Sequence, residues 1–165
     1  MKRLIFAMTM ALFFVSTAVA QDELTTFIMV RHAEKANDGT NNPGLTEEGA
    51  ARADRLKAVL SASEISGVYS SPFKRTINTA KPLATDLNLE IKEYNPRGTD
   101  WINTLLSENK GKTILVSGHS NTTPVAVNFL LGEKKFEWLS EDEYDKIFIV
   151  TVSSVGKGTV TVLTY

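Results

Sequence analysis

Two histidines occur in the 165 residues, His32 and His119, and each comes directly after an apolar run that reads as a buried strand. His32 follows Phe27-Ile28-Met29-Val30 with Arg31 between, and His119 follows "ILVSG". Imidazole titrates near neutrality, so its neutral form can attack an electrophile or carry a proton. Charged residues such as Arg31 and His32 at the end of a buried strand cost desolvation energy unless they meet a partner. A third segment, "VYSSPFKRTINTA", places Arg75 one turn into a helix expected to begin at Pro72, on the same side of the sheet as both histidines. Free N–H groups and the positive dipole end at such a place favour an anion, and arginine holds phosphate oxygens two at a time. Two arginines and two histidines at three strand ends share one chemical meaning. They make a phosphate pocket in which neutral imidazole can attack phosphorus while clustered positive charge stabilises the transferring group. Ser120, beside His119, stands where a helix start could offer backbone N–H groups to a phosphate oxygen. Lys74 reads as a solvated surface residue.

The elements that must position these residues follow from local pattern. After the first strand comes a polar loop rich in Asn, Gly and Pro, Asn37 to Pro43. Thr46 with Glu47 and Glu48 reads as a helix start with an N-cap hydroxyl and first-turn acids. Ala50, Ala53, Leu56, Val59 and Leu60 continue it at helical spacing. Val68-Tyr69 is the next strand, and the helix from Pro72 should run to Leu87, with Pro82 a point of kinking or division. Leu89 to Tyr94 is a weaker strand. A short helix from Trp101 to Glu108, capped by Thr99 or Asp100, a strand from Thr113 to Ser117, and a helix from Thr122 to Leu131 closed by Gly132 follow. The β-branched runs Ile147 to Val152 and Thr159 to Leu163, joined through Gly156-Lys157-Gly158, predict a terminal antiparallel hairpin. This alternation predicts an α/β fold. It is a three-layer sandwich with a mainly parallel central sheet, helices on both faces and a C-terminal β-hairpin. Ligands of such sheets sit at the carboxyl ends of the strands, where the unusual residues fall.

The first 20 residues stand apart. Lys2 and Arg3, an apolar run from Leu4 to Val15, and Ala18-Val19-Ala20 before Gln21-Asp22-Glu23 form the three parts of a secretory signal peptide. The apolar run is about 12 residues, where a spanning helix needs roughly 20. With no cysteine there is no lipobox, and no stable membrane insertion is expected after cleavage. The expected organisation is a signal peptide over 1–20 and a single domain over 21–165, exported to the periplasm or secreted. Cleavage removes Lys2 and Arg3 and no acid, so the formal net charge passes from −1 to −3. No basic excess remains to suggest nucleic acid as a partner. The expected partner is a small phosphorylated substrate; oligomeric state is not legible. Without cysteines there are neither disulfides nor thiol chemistry.

Three rival readings compete with the phosphate pocket. "GHSNT" is close to the G-x-S-x-G elbow of α/β-hydrolases, which would make Ser120 the nucleophile. That fold needs its histidine after the serine, and none follows Ser120. A metal hydrolase would have at most two imidazoles and a carboxylate as ligands, without helical H-x-x-x-H spacing. The third rival keeps the pocket without turnover, as a phosphate-binding pseudo-enzyme.

"VRHAEK", "LTEEGAARADRL", "YSSPFKRTINTA" and "VSGHSNTTP", in that order, resemble the histidine phosphatase superfamily, also called the phosphoglycerate-mutase-like or RHG superfamily. The resemblance covers Phe27 to about Leu131 and implies an α/β sandwich. It implies that His32 is the nucleophile that becomes phosphohistidine, that Arg31 and Arg75 hold the phosphoryl group, and that His119 is the second histidine of the pocket. It also implies hydrolysis by water, with no cofactor and no metal. The sequence departs from the family at Ala33, where RHG has glycine, a mild change unless that position needs φ > 0. It departs more seriously at the general acid. Glu90, Glu93 and Asp100 lie in the relevant region and Glu34 near the expected nucleophile; Glu93 is the preferred candidate, Asp100 reads better as a helix cap, and the resemblance also allows for no acid in the usual place, as in some small members. The export signal and the 43 residues between Arg75 and His119, too few for a large lid, favour a phosphatase of phosphate monoesters over a mutase.

Overall fold

The computed structural model describes residues 23–165; the expected signal peptide lies outside them. The elements are β1 (Thr25–Arg31), α1 (Glu47–Leu60), β2 (Ile65–Ser70), α2 (Lys74–Asp86), β3 (Ile91–Glu93), α3 (Asp100–Glu108), β4 (Thr113–Gly118), α4 (Thr122–Leu131), β5 (Lys146–Val152) and β6 (Thr159–Thr164). They form one six-stranded sheet in the order β3-β2-β4-β1-β5-β6. β3, β2, β4 and β1 run parallel, and the β5–β6 hairpin joins β1 antiparallel.

Strand alternation divides the apolar residues between two layers. Phe27 and Met29 of β1 pack with Val116, Phe148, Ile102 and Leu130 on the side of α3 and α4. Ile28 and Val30 pack with Leu115, Ile147, Leu56 and Leu83 on the side of α1 and α2. Both faces of the central strands are therefore buried, which is why β1 and β4 read as nearly unbroken apolar runs. The expected three-layer α/β sandwich with its terminal hairpin is the observed fold. No described helix is long and apolar enough to cross a membrane.

Local signals account for most boundaries. The Thr46 hydroxyl accepts from the Gly49 N–H at 3.0 Å and caps α1. Gly132 closes α4 at φ 75°, and a side chain there would lie 2.7 Å from the Gly156 backbone, so two elements meet through a pair of glycines. Three details differ from expectation. α2 begins at Lys74 and not at Pro72, because the ladder continues through Ser71, whose N–H donates to Ser117 O, and Phe73 is still extended. Pro82 lies inside α2 without dividing it. β3 is three residues long because Leu89 is drawn into the end of α2. There Leu89 N–H donates to Ala84 O and Asn88 N–H to Thr85 O, with Asn88 at φ 53°, the six-to-one closure of a Schellman motif.

Candidate active site

The carboxyl ends of β1, β2 and β4 bring Arg31, His32, Arg75, His119 and Ser120 into one pocket of about 610 Å3. His32 continues the line of β1, its N–H donating to Gly118 O at 2.9 Å. The ring centroids of His32 and His119 are 5.5 Å apart, edge to face. Ala33 is fully buried, its N–H donates to Thr79 Oγ1 at 2.9 Å, and Asn88 is the only non-glycine at positive φ among the described residues. The alanine in place of glycine is therefore unstrained. Gly49 answers to a close approach: a Cβ there would collide with the Glu34 backbone, which is where α1 docks beneath the loop that follows His32.

Each imidazole has one nitrogen committed. His32 Nδ1 lies 2.8 Å from Ala33 O, and a carbonyl only accepts, so Nδ1 carries the proton and the neutral ring keeps its lone pair on Nε2. His119 Nε2 lies 2.8 Å from Ser71 Oγ. Thr76 Oγ1 spends its proton on the Ser71 and Phe73 carbonyls and accepts from Ser71 Oγ at 3.0 Å. Ser71 has no second proton, so His119 Nε2 is the donor and its Nδ1 lone pair faces Arg75 Nη2 at 3.5 Å. Burial pushes the His32 pKa down to about 3; the Ala33 carbonyl opposes this, while Arg75, His119 and Arg31 add to it. Burial, then Arg75 and Arg31, bring His119 down to about 4. Both rings are neutral at pH 7, as a nitrogen nucleophile requires.

The arginines differ in their support. Arg31 is 2% exposed; its Nη1 donates to the Ser140 and Glu143 carbonyls, its Nη2 is 3.6 Å from Glu141, and its guanidinium sits 4.1 Å over the Tyr144 ring. Arg75 lies over the Phe73 ring at 4.6 Å, and burial lowers its pKa. Among the described residues, the buried Nε of neither arginine has a hydrogen-bond partner. A buried donor left without an acceptor costs about 1–3 kcal/mol, so both are poised for an anion.

The carboxylate candidates are not brought in. Glu93 is exposed on the edge strand β3 and Glu90 and Asp100 are also exposed; none of the three lines the pocket. Burial would raise the Glu34 carboxyl, but hydrogen bonds and charge from Arg52 outweigh it and hold Glu34 below the usual range. Among the described residues Glu141 is the one carboxylate in the lining. It belongs to the loop 132–145, which also supplies Tyr144 and Trp138 and which sequence reasoning passed over. Its one signal is an isolated tryptophan ahead of the acidic run "SEDEYD". Lys35 and Arg97 add exposed cations at the rim. Trp101 is packed on Tyr94, ring centroids 4.3 Å apart. No group of three or more His, Cys, Asp or Glu among the described residues is placed to hold a metal ion.

Part of the chain is similar in sequence to known proteins, and its fold is shared with solved structures. Residues 27–96 match the model of the histidine phosphatase superfamily (branch 1). Phosphoserine phosphatase 1 of Hydrogenobacter thermophilus is 40% identical over 70 residues, 39% of this chain and 33% of that protein. The 2,3-bisphosphoglycerate-dependent phosphoglycerate mutase of Thermoplasma acidophilum is 34% identical over 71 residues, 39% of this chain and 36% of that protein. The matched segment thus spans about a third of each curated relative. In structure, a mycobacterial glucosyl-3-phosphoglycerate phosphatase superposes with a TM-score of 0.71 at 13% identity, covering 86% of this chain and 99% of that one. The protein histidine phosphatase SixA, complexed with tungstate, gives 0.68 at 23% identity over 84% and 96%. These neighbours share the fold. Over residues 27–96 the chain is similar to a superfamily whose relatives here are phosphatases and a mutase.

Proposed function

We propose that the protein is an exported phosphatase that hydrolyses phosphate monoesters through a phosphohistidine on His32. The observation that carries this reading is the pairing of two neutral imidazoles with two guanidiniums, Arg31 buried and Arg75 half-buried, whose buried Nε atoms lack partners. A phosphate dianion offsets the excess positive charge of Arg31, Lys35, Arg75 and Arg97 over the single carboxylate of Glu141. His32 Nε2 attacks phosphorus, forming the N–P bond as the ester P–O bond breaks, and the leaving oxygen takes a proton from solvent and departs as the alcohol. Arg31 and Arg75 hold the non-bridging oxygens. The bound dianion also raises the pKa of His119, so that Nδ1 takes up a proton and donates to the phosphoryl group. Water then attacks the phosphohistidine, releasing phosphate and restoring His32. Hydrolysis is favoured over mutase transfer because the rim is open, with Lys35, Arg97, Asn121 and Glu141 all exposed, and water reaches the intermediate. Export rests on the Met1 to Ala20 pattern and is checked by N-terminal sequencing of the mature protein. Turnover is checked with p-nitrophenyl phosphate. Activity that persists in EDTA and falls by at least about a thousandfold in His32→Ala supports the reading; full activity in His32→Ala refutes it. A protein that binds phosphate without turnover would be the pseudo-enzyme.

A further inference from the structure

A second hollow, of about 270 Å3, opens beside the phosphate pocket. The two share Pro96, Asn121, Thr122 and Trp138. Their characters are opposed. The phosphate pocket is lined by Arg31, Lys35, Arg75 and Arg97, whereas no charged residue lines the hollow among the described residues. Its inner wall is Trp101 and Ile102 of α3 and Ala126 of α4, all buried. That wall is fixed, since Trp101 stacks on Tyr94 and donates Nε1–H to Gly98 O at 3.2 Å. Its outer edge is Val125, 42% exposed, and Trp138, 69% exposed. A single exposed apolar residue needs no explanation. An exposed indole and an exposed valine on the lip of one concave, uncharged cavity describe a surface that a ligand would cover.

We propose that this hollow receives the leaving group of the substrate and that this group is apolar and uncharged: an aryl or branched alkyl alcohol esterified to phosphate. The inference rests on the phosphatase reading above. The hollow starts at Asn121 and Thr122, two and three positions after His119, and Thr122 Oγ1 accepts the His119 N–H at 3.1 Å. It therefore adjoins a phosphate held at His119. A leaving group bearing a carboxylate would find no counter-charge in the hollow and would turn to Lys35 and Arg97 instead.

Phosphonates separate these possibilities, because the C–P bond is not hydrolysed and binding is read without turnover. Titration calorimetry on the purified protein compares methylphosphonate, benzylphosphonate and phosphonoacetate. Burial of the ring should make benzylphosphonate bind about tenfold or more tighter than methylphosphonate. Trp138→Ala should cut that ratio to about threefold or less. Equal affinities for the two, a ratio unaltered by Trp138→Ala, or tightest binding of phosphonoacetate would overturn the proposal while leaving the phosphatase reading intact. If no phosphonate binds, the phosphate pocket itself is refuted, and this inference with it.

Discussion

The pocket has two walls built in different ways. One is the carboxyl edge of the sheet, where His32 and Ser71 are tied into the strand ladder through Gly118 O and Ser117 O, and where His119 is fixed by a buried Ser71–Thr76 chain. The other is the loop 132–145, which holds Arg31 through the carbonyls of Ser140 and Glu143 but leaves Trp138 and Glu141 69% and 83% exposed. In the proposed function the first wall would carry the groups whose position must be exact for chemistry, and the second those that meet whatever is attached to the phosphate. Placing catalysis on rigid elements and selectivity on a loop is the division expected of a scaffold that keeps one reaction for many substrates.

Substitutions on the two walls should differ accordingly. The largest effect short of removing His32 is expected at Arg75: Arg75→Ala should lower kcat/KM for p-nitrophenyl phosphate by about 10²–10³. The thermal midpoint should not fall, because a buried unpartnered donor is removed. Next comes Ser71→Ala, which takes away the acceptor of His119 Nε2. It should cost about tenfold, mainly in kcat; an unchanged kcat would show that His119 needs no support. Smallest is Glu141→Gln on the loop, within about threefold for p-nitrophenyl phosphate, whose leaving group needs no proton. A much larger loss confined to alkyl phosphates would move the general acid onto the loop and break the division. The sheet wall also has a pH signature. Its two histidines titrate near 3 and 4 when folded and near 6.5 when unfolded. Between those values the unfolded chain binds more protons, so stability is complete above about pH 6.5 and falls as pH drops toward 4. Denaturant titrations should show a shallower fall in His119→Gln than in the parent; identical slopes would contradict the buried neutral state.

The same contrast explains what could be read in the sequence. The sheet wall was legible because each element states its purpose in residue types. Apolar runs end at Arg31-His32 and Gly118-His119, Thr46 caps α1, and Gly132 ends α4. The boundaries that shifted, at Lys74 and Ile91, depend on backbone bonds made by Ser71 and Leu89, which leave no mark in composition. The loop wall was illegible for a related reason. It grips Arg31 through carbonyl oxygens, which any residue possesses, and its chain positions 132–145 lie far from Arg31. Glu93 could be weighed as an acid from its place near a strand end, but the edge position of β3 leaves it in solvent, and Glu141 enters the pocket only through tertiary packing.

The central claim is a covalent bond between phosphorus and His32. Acid-labile, alkali-stable phosphate should appear on the protein when turnover of a 32P-labelled monoester is quenched in base, and peptide mapping should place it on His32. Label on His32 in the parent and none in His32→Ala is the predicted result. Active enzyme that never carries label, or label that survives in His32→Ala, would contradict it.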